Sequence, residues 1–166
     1  MRKFLLASVA LGALAVLMVF AVGALADDGH GKAGGNGDNN RGRAVFESTI
    51  VPSVPTDPTI DGVKAAGAPW VIGEGDVTIS GSGELKVEVQ GLVLTASGAN
   101  PLTVISASLF CGADTTSTAT TATVPFSPTG DAEIEANVTL PAKCLAPVVL
   151  LHPNGNVKAY IGASGF

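Results

Sequence analysis

The sequence predicts an all-β domain: an antiparallel β-sandwich of seven to nine short strands, closed by one disulfide. Three observations predict it. Apolar and polar residues alternate with period two through much of the chain, most strictly over 84–90, which puts Leu85, Val87 and Val89 on one face of a strand. Glycine, proline and asparagine punctuate those runs at short intervals, and no window after residue 26 carries the 3.6-residue stripe of an amphipathic helix. Two cysteines, Cys111 and Cys144, are the only ones in the chain.

The first element is not part of that domain. Arg2 and Lys3 precede an uncharged run over 4–22, and Ala24-Leu25-Ala26 places small residues where a signal peptidase reads them. A basic start, an apolar middle and an A-x-A site describe a secretory signal peptide over 1–26. An uncleaved anchor is the competing reading, because such a run spans roughly 28 Å as a helix, about the hydrocarbon thickness of a bilayer. Either way the following residues are expected outside the cytoplasm, secreted or anchored to the outer side of the membrane. Removing Arg2 and Lys3 moves the formal charge from −5 to −7. That sign disfavours nucleic acid as a partner, and no Lys/Arg cluster offsets it locally. Contact with a membrane is expected only if the anchor is retained.

Residues 27–43 form a flexible leader. Six of these 17 residues are glycine and none is a large hydrophobe, so the segment cannot bury enough surface to offset its ordering entropy. His30 with Asp27 and Asp28 is no more than a compositional hint of metal affinity. One domain over 44–166 remains. A first strand is expected at 45–50, followed by Pro52, Pro55 and Pro58, whose spacing blocks a regular ladder and favours an extended crossing. Strands follow at 76–80 and 84–90 around the Gly81-Ser82-Gly83 turn, with an extension at 92–94 after a bulge at Gly91. Further strands are expected at 102–110, 118–126, 131–140, 148–151 and 158–161, the last two joined by the turn Pro153-Asn154-Gly155-Asn156. The order Trp70, Cys111, Cys144 departs from the Cys–Trp–Cys order of antibody domains, so any immunoglobulin likeness is architectural only.

In an exported chain an isolated cysteine pair is best read as a disulfide, here Cys111–Cys144, pinning two strand ends together with Leu109 and Leu140 beside it. Neither a C-x-x-C spacing nor neighbouring histidines supports a redox or metal role.

The runs Asp57-Pro58-Thr59-Ile60-Asp61-Gly62-Val63, Gly67-Ala68-Pro69-Trp70, Leu140-Pro141-Ala142-Lys143-Cys144 and Ala163-Ser164-Gly165-Phe166 resemble a group of uncharacterised small exported bacterial proteins. The resemblance spans most of 44–166 and implies no activity.

A reaction centre is not legible. His152 is the one histidine in the expected domain, and a lone histidine at a strand end reads as a surface residue rather than as part of a Ser-His-Asp set. Glu133 and Glu135 share a face, as charges on any solvated strand do. Asp57, Asp61, Glu74 and Asp76 offer oxygen ligands for calcium without a ligand spacing. Thr115–Thr123 reads as a hydroxyl-rich loop leading into an edge strand, with O-glycosylation as its functional alternative. Asn137-Val138-Thr139 is a glycosylation sequon placed in a strand. Carbohydrate modules stack sugars on exposed aromatic rings, and Trp70 and Tyr160 are the two candidates for that role, with Trp70 expected to be buried instead. The expectation is therefore a secreted or envelope-associated, non-catalytic protein with a structural or binding role and no cofactor or metal. Contact with a cell surface or polysaccharide, as in a carbohydrate-binding module, is the alternative, and an extracellular hydrolase is the more remote one.

Overall fold

A computed structural model describes residues 42–112 and 114–164. The expected signal peptide, almost all of the leader, and Phe166 lie outside the described residues. Strands run β1 (Ala44–Pro52), β2 (Lys64–Ala65), β3 (Trp70–Val71), β4 (Glu74–Ser80), β5 (Glu84–Gln90), β6 (Val93–Leu94), β7 (Val104–Phe110), β8 (Ala119–Thr120), β9 (Val124–Pro125), β10 (Ala132–Asn137), β11 (Val148–Pro153), β12 (Ala159–Tyr160) and β13 (Gly162–Ser164). No helix occurs among the described residues.

Nine strands form one antiparallel sheet in the order β10-β5-β4-β1-β13-β11-β7-β8, with β9 also pairing β7. The expected all-β, antiparallel class is therefore present, but the hydrogen bonding does not divide into two sheets. It runs unbroken through β1, which changes partner part-way along. Residues 44–49 pair β4, and Ile50, Val51 and Pro52 pair β13. At that change the sheet curls, so that Val77, Ile79, Leu85 and Val87 from one half share a core with Ile105, Leu109, Val149 and Leu151 from the other.

The curl is possible because two glycines make room at Ile50. A Cβ on Gly75 of β4 would stand 2.9 Å from Cβ of Ile50, and one on Gly162 of β13 would stand 2.9 Å from its Cγ2. Side chains at either position would push Ile50 out of the junction.

The two ends of the curled sheet are joined covalently by the β9–β10 turn. Asp131 organises it: its carboxylate accepts from the Thr129 hydroxyl (2.6 Å), the Ser127 hydroxyl (3.1 Å) and the Gly91 amide (2.9 Å). These donors hold the Asp131 carboxyl below the usual carboxylate range, with the Thr129 bond the largest cause. Gly130, at φ 85°, lies flat against the backbone of Leu92, where no Cβ fits.

Two expected strands differ from the observed ones for visible reasons. The run 118–126 breaks into β8 and β9 because the Ala107 amide of β7 donates to the Thr121 hydroxyl (3.0 Å), so a side chain takes the place of a ladder carbonyl. The run 92–94 does not extend β5. Gly91, at φ 67°, turns the chain away, and β6 pairs β3 instead.

The disulfide links Cys111 and Cys144 with their Cα atoms 4.8 Å apart. Cys111 follows β7 directly, as expected, but Cys144 sits within the loop between β10 and β11, because β10 ends at Asn137. The bridge therefore ties a strand end to a loop and does not join two strand ends. The Gly112 amide donates to the Leu145 carbonyl (2.6 Å) beside it. Closing a loop with a sequence separation of 33 stabilises by roughly 3–4 kcal/mol on the chain-entropy account.

Two predictions follow from these junctions. Gly75→Ala and Gly162→Ala should each lower unfolding free energy by about 1–3 kcal/mol through overpacking at Ile50, read as a lower urea midpoint. The paired Cys111→Ser, Cys144→Ser variant should lose roughly 2–5 kcal/mol; the unreduced wild-type protein, unfolded, should show no free thiol to a labelling reagent.

Candidate functional site

Strands β7 and β11 are buried on both faces. In β7, Ile105, Ala107 and Leu109 point into the main core, while Ser106, Ser108 and Phe110 point outward and are equally inaccessible. In β11, Leu150 and His152 share that outer side. What covers it is the chain from Ser53 to Ala66 together with β12. The two-residue strands β2 and β12 pair in parallel, Ala159 beside Lys64 and Tyr160 beside Ala65. Val63, Phe110, Leu150, Tyr160 and Ala163 form a second, smaller core beneath this cover. The prolines, expected to block a ladder and favour an extended crossing, carry the chain over the outside of the sheet.

Tyr160 holds the cover in place. Its hydroxyl donates to the Pro58 carbonyl (2.7 Å), and its own carbonyl accepts from the Ala66 amide (2.9 Å) and the Ser53 hydroxyl (3.1 Å). Burial raises the Tyr160 phenol above its ordinary range, and the negative charge of Asp57 adds to the effect.

Beside Tyr160 lies a cleft of about 270 Å³. Val51 and Pro52 of β1 form one wall, and Val54, Pro58 and Ile60 of the crossing form the other. Tyr160 and Ala163 lie at its base, and Asp57 is its one charged residue. Asp57 is oriented by the Val54 amide, which donates to Oδ2 (2.8 Å). Val51 and Val54, at 40% and 37% exposure, are large apolar side chains left open to solvent at the rim. The lining contains no serine, cysteine, lysine or histidine, and its one phenol, Tyr160, is tied to the Pro58 carbonyl.

His152 is the residue that sequence reasoning misplaced. Expected at the surface, it is fully buried on the outer side of β11, under β12. Nδ1 donates to the Ala159 carbonyl (2.8 Å), which fixes the proton on that nitrogen and leaves Nε2 with a lone pair. Nε2 has no hydrogen-bond partner among the described residues, and neither has the hydroxyl of Ser106, its direct cross-strand neighbour. Desolvation pushes the imidazole pKa down, only partly offset by the Ala159 bond. The sequence signal for this burial was available in the uninterrupted run Val148–Pro153, since a strand buried on both faces shows no alternation.

The other candidates are dispersed. Trp70 is in the main core, at 5% exposure, with its indole nitrogen unpaired among the described residues. Tyr160, at 2%, offers no open ring face. Neither is therefore a stacking platform, though Tyr160 does reach the cleft. Asp57 and Asp61 lie on the crossing, whereas Glu74 and Asp76 lie on β4, and no three His, Cys, Asp or Glu side chains come together as a metal site among the described residues. Thr115, Thr116 and Ser117 border a polar groove of about 320 Å³ with Asp61 and Lys158; Phe110 at its base is buried. Glu133 and Glu135 stand on the solvated face of β10, where Lys86 of β5 contacts Glu133 (2.8 Å), Glu88 (3.4 Å) and Glu135 (3.7 Å). Such exposed pairs stabilise little. Their role is to lessen repulsion where Glu88 and Glu133 stand directly opposite one another.

No family profile, no curated protein and no solved structure matches this chain.

The depressed His152 pKa sets an acid limit. Well above pH 6.5, the ordinary imidazole value, the ring is neutral in both folded and unfolded chains, so it contributes no pH dependence. Below that value the unfolded chain takes up a proton that the folded one refuses, and stability should decline until the pH passes the lower folded-state pKa. Urea unfolding at a series of pH values between about 7.5 and 5 checks this; a flat profile would count against the buried neutral ring. Tyr160→Phe should cost about 1 kcal/mol by stranding the Pro58 carbonyl, measured in the same way at neutral pH.

Proposed function

We propose that this protein is a secreted or envelope-associated, non-catalytic β domain with a binding role, and that the Tyr160 cleft is where it binds. One observation carries the reading: a formed apolar cleft beside an oriented carboxylate, with no reactive side chain in it. At about 270 Å³ the cleft lies near the low end of small-molecule sites. It suits a single apolar side chain or short alkyl group, not a polymer. Asp57 sets the preferred charge, so the favoured occupant is an apolar group next to a cation or hydrogen-bond donor, as on a basic segment of a partner protein. The disulfide is consistent with an oxidising compartment, as are the features of residues 1–26 and the resemblance to exported bacterial proteins. A sandwich-like architecture, immunoglobulin-like in arrangement only, is part of this proposal. It is supported by the way the two halves of the sheet face each other across one core.

Tyr160 is the only tyrosine in the chain, which makes its ring signals a direct reporter. Titration with hexylammonium should shift them, hexanoate should act more weakly, and Asp57→Asn should reduce the hexylammonium affinity by roughly tenfold, as for loss of a charge-assisted contact. Binding of a cello-oligosaccharide without binding of hexylammonium would overturn this in favour of the carbohydrate-binding reading.

A further inference from the structure

The buried histidine and the cleft are connected through a single peptide unit. His152 holds the Ala159 carbonyl; the next residue, Tyr160, forms the base of the cleft and is tied to Pro58. The element that carries both, β12, pairs with β2 over only two residues.

We propose that His152 is the pin of an acid-released latch: protonation of its ring displaces β12 from both the sheet and β2 and dismantles the Tyr160 cleft, so that a ligand held near neutral pH is released in acid. The proposal rests on reading that cleft as the binding site.

The geometry says why the added charge has to be relieved by movement. A second ring proton would sit on Nε2, which is fully buried and has no acceptor already engaged with it. Ser106 is the nearest polar side chain on β7 and is itself neutral. No charged residue lies on β7, β11 or β13. On the covering elements the charged groups are Lys64 of β2, Lys158 just before β12, and Asp57 and Asp61 of the crossing. Lys64 and Lys158 are exposed and of the wrong sign; Asp57 and Asp61 form no ion pair with the ring among the described residues. An imidazolium in this position therefore has no counter-charge in contact, and hydration is the available relief. The inward side is the packed main core, whereas the outward side is a two-residue ladder. Water reaches the ring most cheaply from that side.

Displacing β12 removes four restraints together: the Ala159 bond to His152, the Tyr160 hydroxyl bond to Pro58, and the bonds of the Ala66 amide and the Ser53 hydroxyl to the Tyr160 carbonyl. The base of the cleft goes with them. By linkage, a bound ligand must in turn make His152 harder to protonate.

The test uses the whole mature protein and amide hydrogen exchange by NMR, corrected for the intrinsic pH dependence of exchange, between about pH 7.5 and 5. Protection of the Ala66 and Ile161 amides should fall at least about tenfold further than that of β5 amides such as Val87 as His152 titrates. The His152→Gln variant should lose this pH response. If that variant does not fold, agreement in wild-type protein between the ring-titration midpoint and the Ala66 exchange midpoint serves instead. A loss of protection at Ala66 no greater than that at Val87 would overturn the latch, as would opening that persists in His152→Gln, or a ring that titrates while Ala66 stays protected. Hexylammonium affinity is measured separately. Opening without any hexylammonium binding at neutral pH would leave the latch standing and defeat the cleft reading alone.

Discussion

The change of partner along β1 is the constraint on which the rest of this structure depends. A strand that bonds β4 with its first two-thirds and β13 with its end must bend, and Ile50 is where it does so. Gly75 and Gly162 leave room on both flanking strands for that one β-branched side chain. With the bend in place, two halves of one sheet enclose a common core. Without it, Val77, Leu85 and Val87 would have no apolar surface to face. The free ends of such a curled sheet still have to be held, and the turn at Asp131 does this with side-chain acceptors and a glycine pressed on the Leu92 backbone.

The two halves then meet different fates. The half made by β1, β4, β5 and β10 keeps its outer face in water, which is why it carries Asp76, Glu88, Glu133 and Glu135 around a single lysine, Lys86. The half made by β7, β11 and β13 is covered again by the proline-bearing crossing and β12. A second burial layer makes room for function because the cover is thin. It is held by the small core around Tyr160 and by a few hydrogen bonds, so it forms a cleft along its edge and can be lifted without disturbing the main core.

His152 occupies the most consequential place in that layer. A neutral imidazole fits a dry site when one nitrogen has a fixed acceptor, as the Ala159 carbonyl provides. The same site is hostile to the imidazolium. Placing the one histidine of the described residues beneath a two-residue ladder, and not in the solvated half, makes acid act first on the cover.

Alternation along a strand is a local property, so the sequence by itself determined the all-β class, the solvated strands β4, β5 and β10, the turns at Gly81-Ser82-Gly83 and Pro153-Asn154-Gly155-Asn156, and the pairing of the only two cysteines. In these elements one face meets water or one backbone angle needs glycine or asparagine, and both demands are written in adjacent residues. Tertiary structure alone decided the rest. That Thr121 would interrupt a ladder depended on an amide of Ala107 14 residues away. That the prolines would roof the sheet, and that this roof with β12 is what covers His152, depended on the Tyr160–Pro58 bond across 102 residues. Burial from a second layer leaves no period in the sequence, because a strand covered on both sides has no polar face to betray which neighbour covers it.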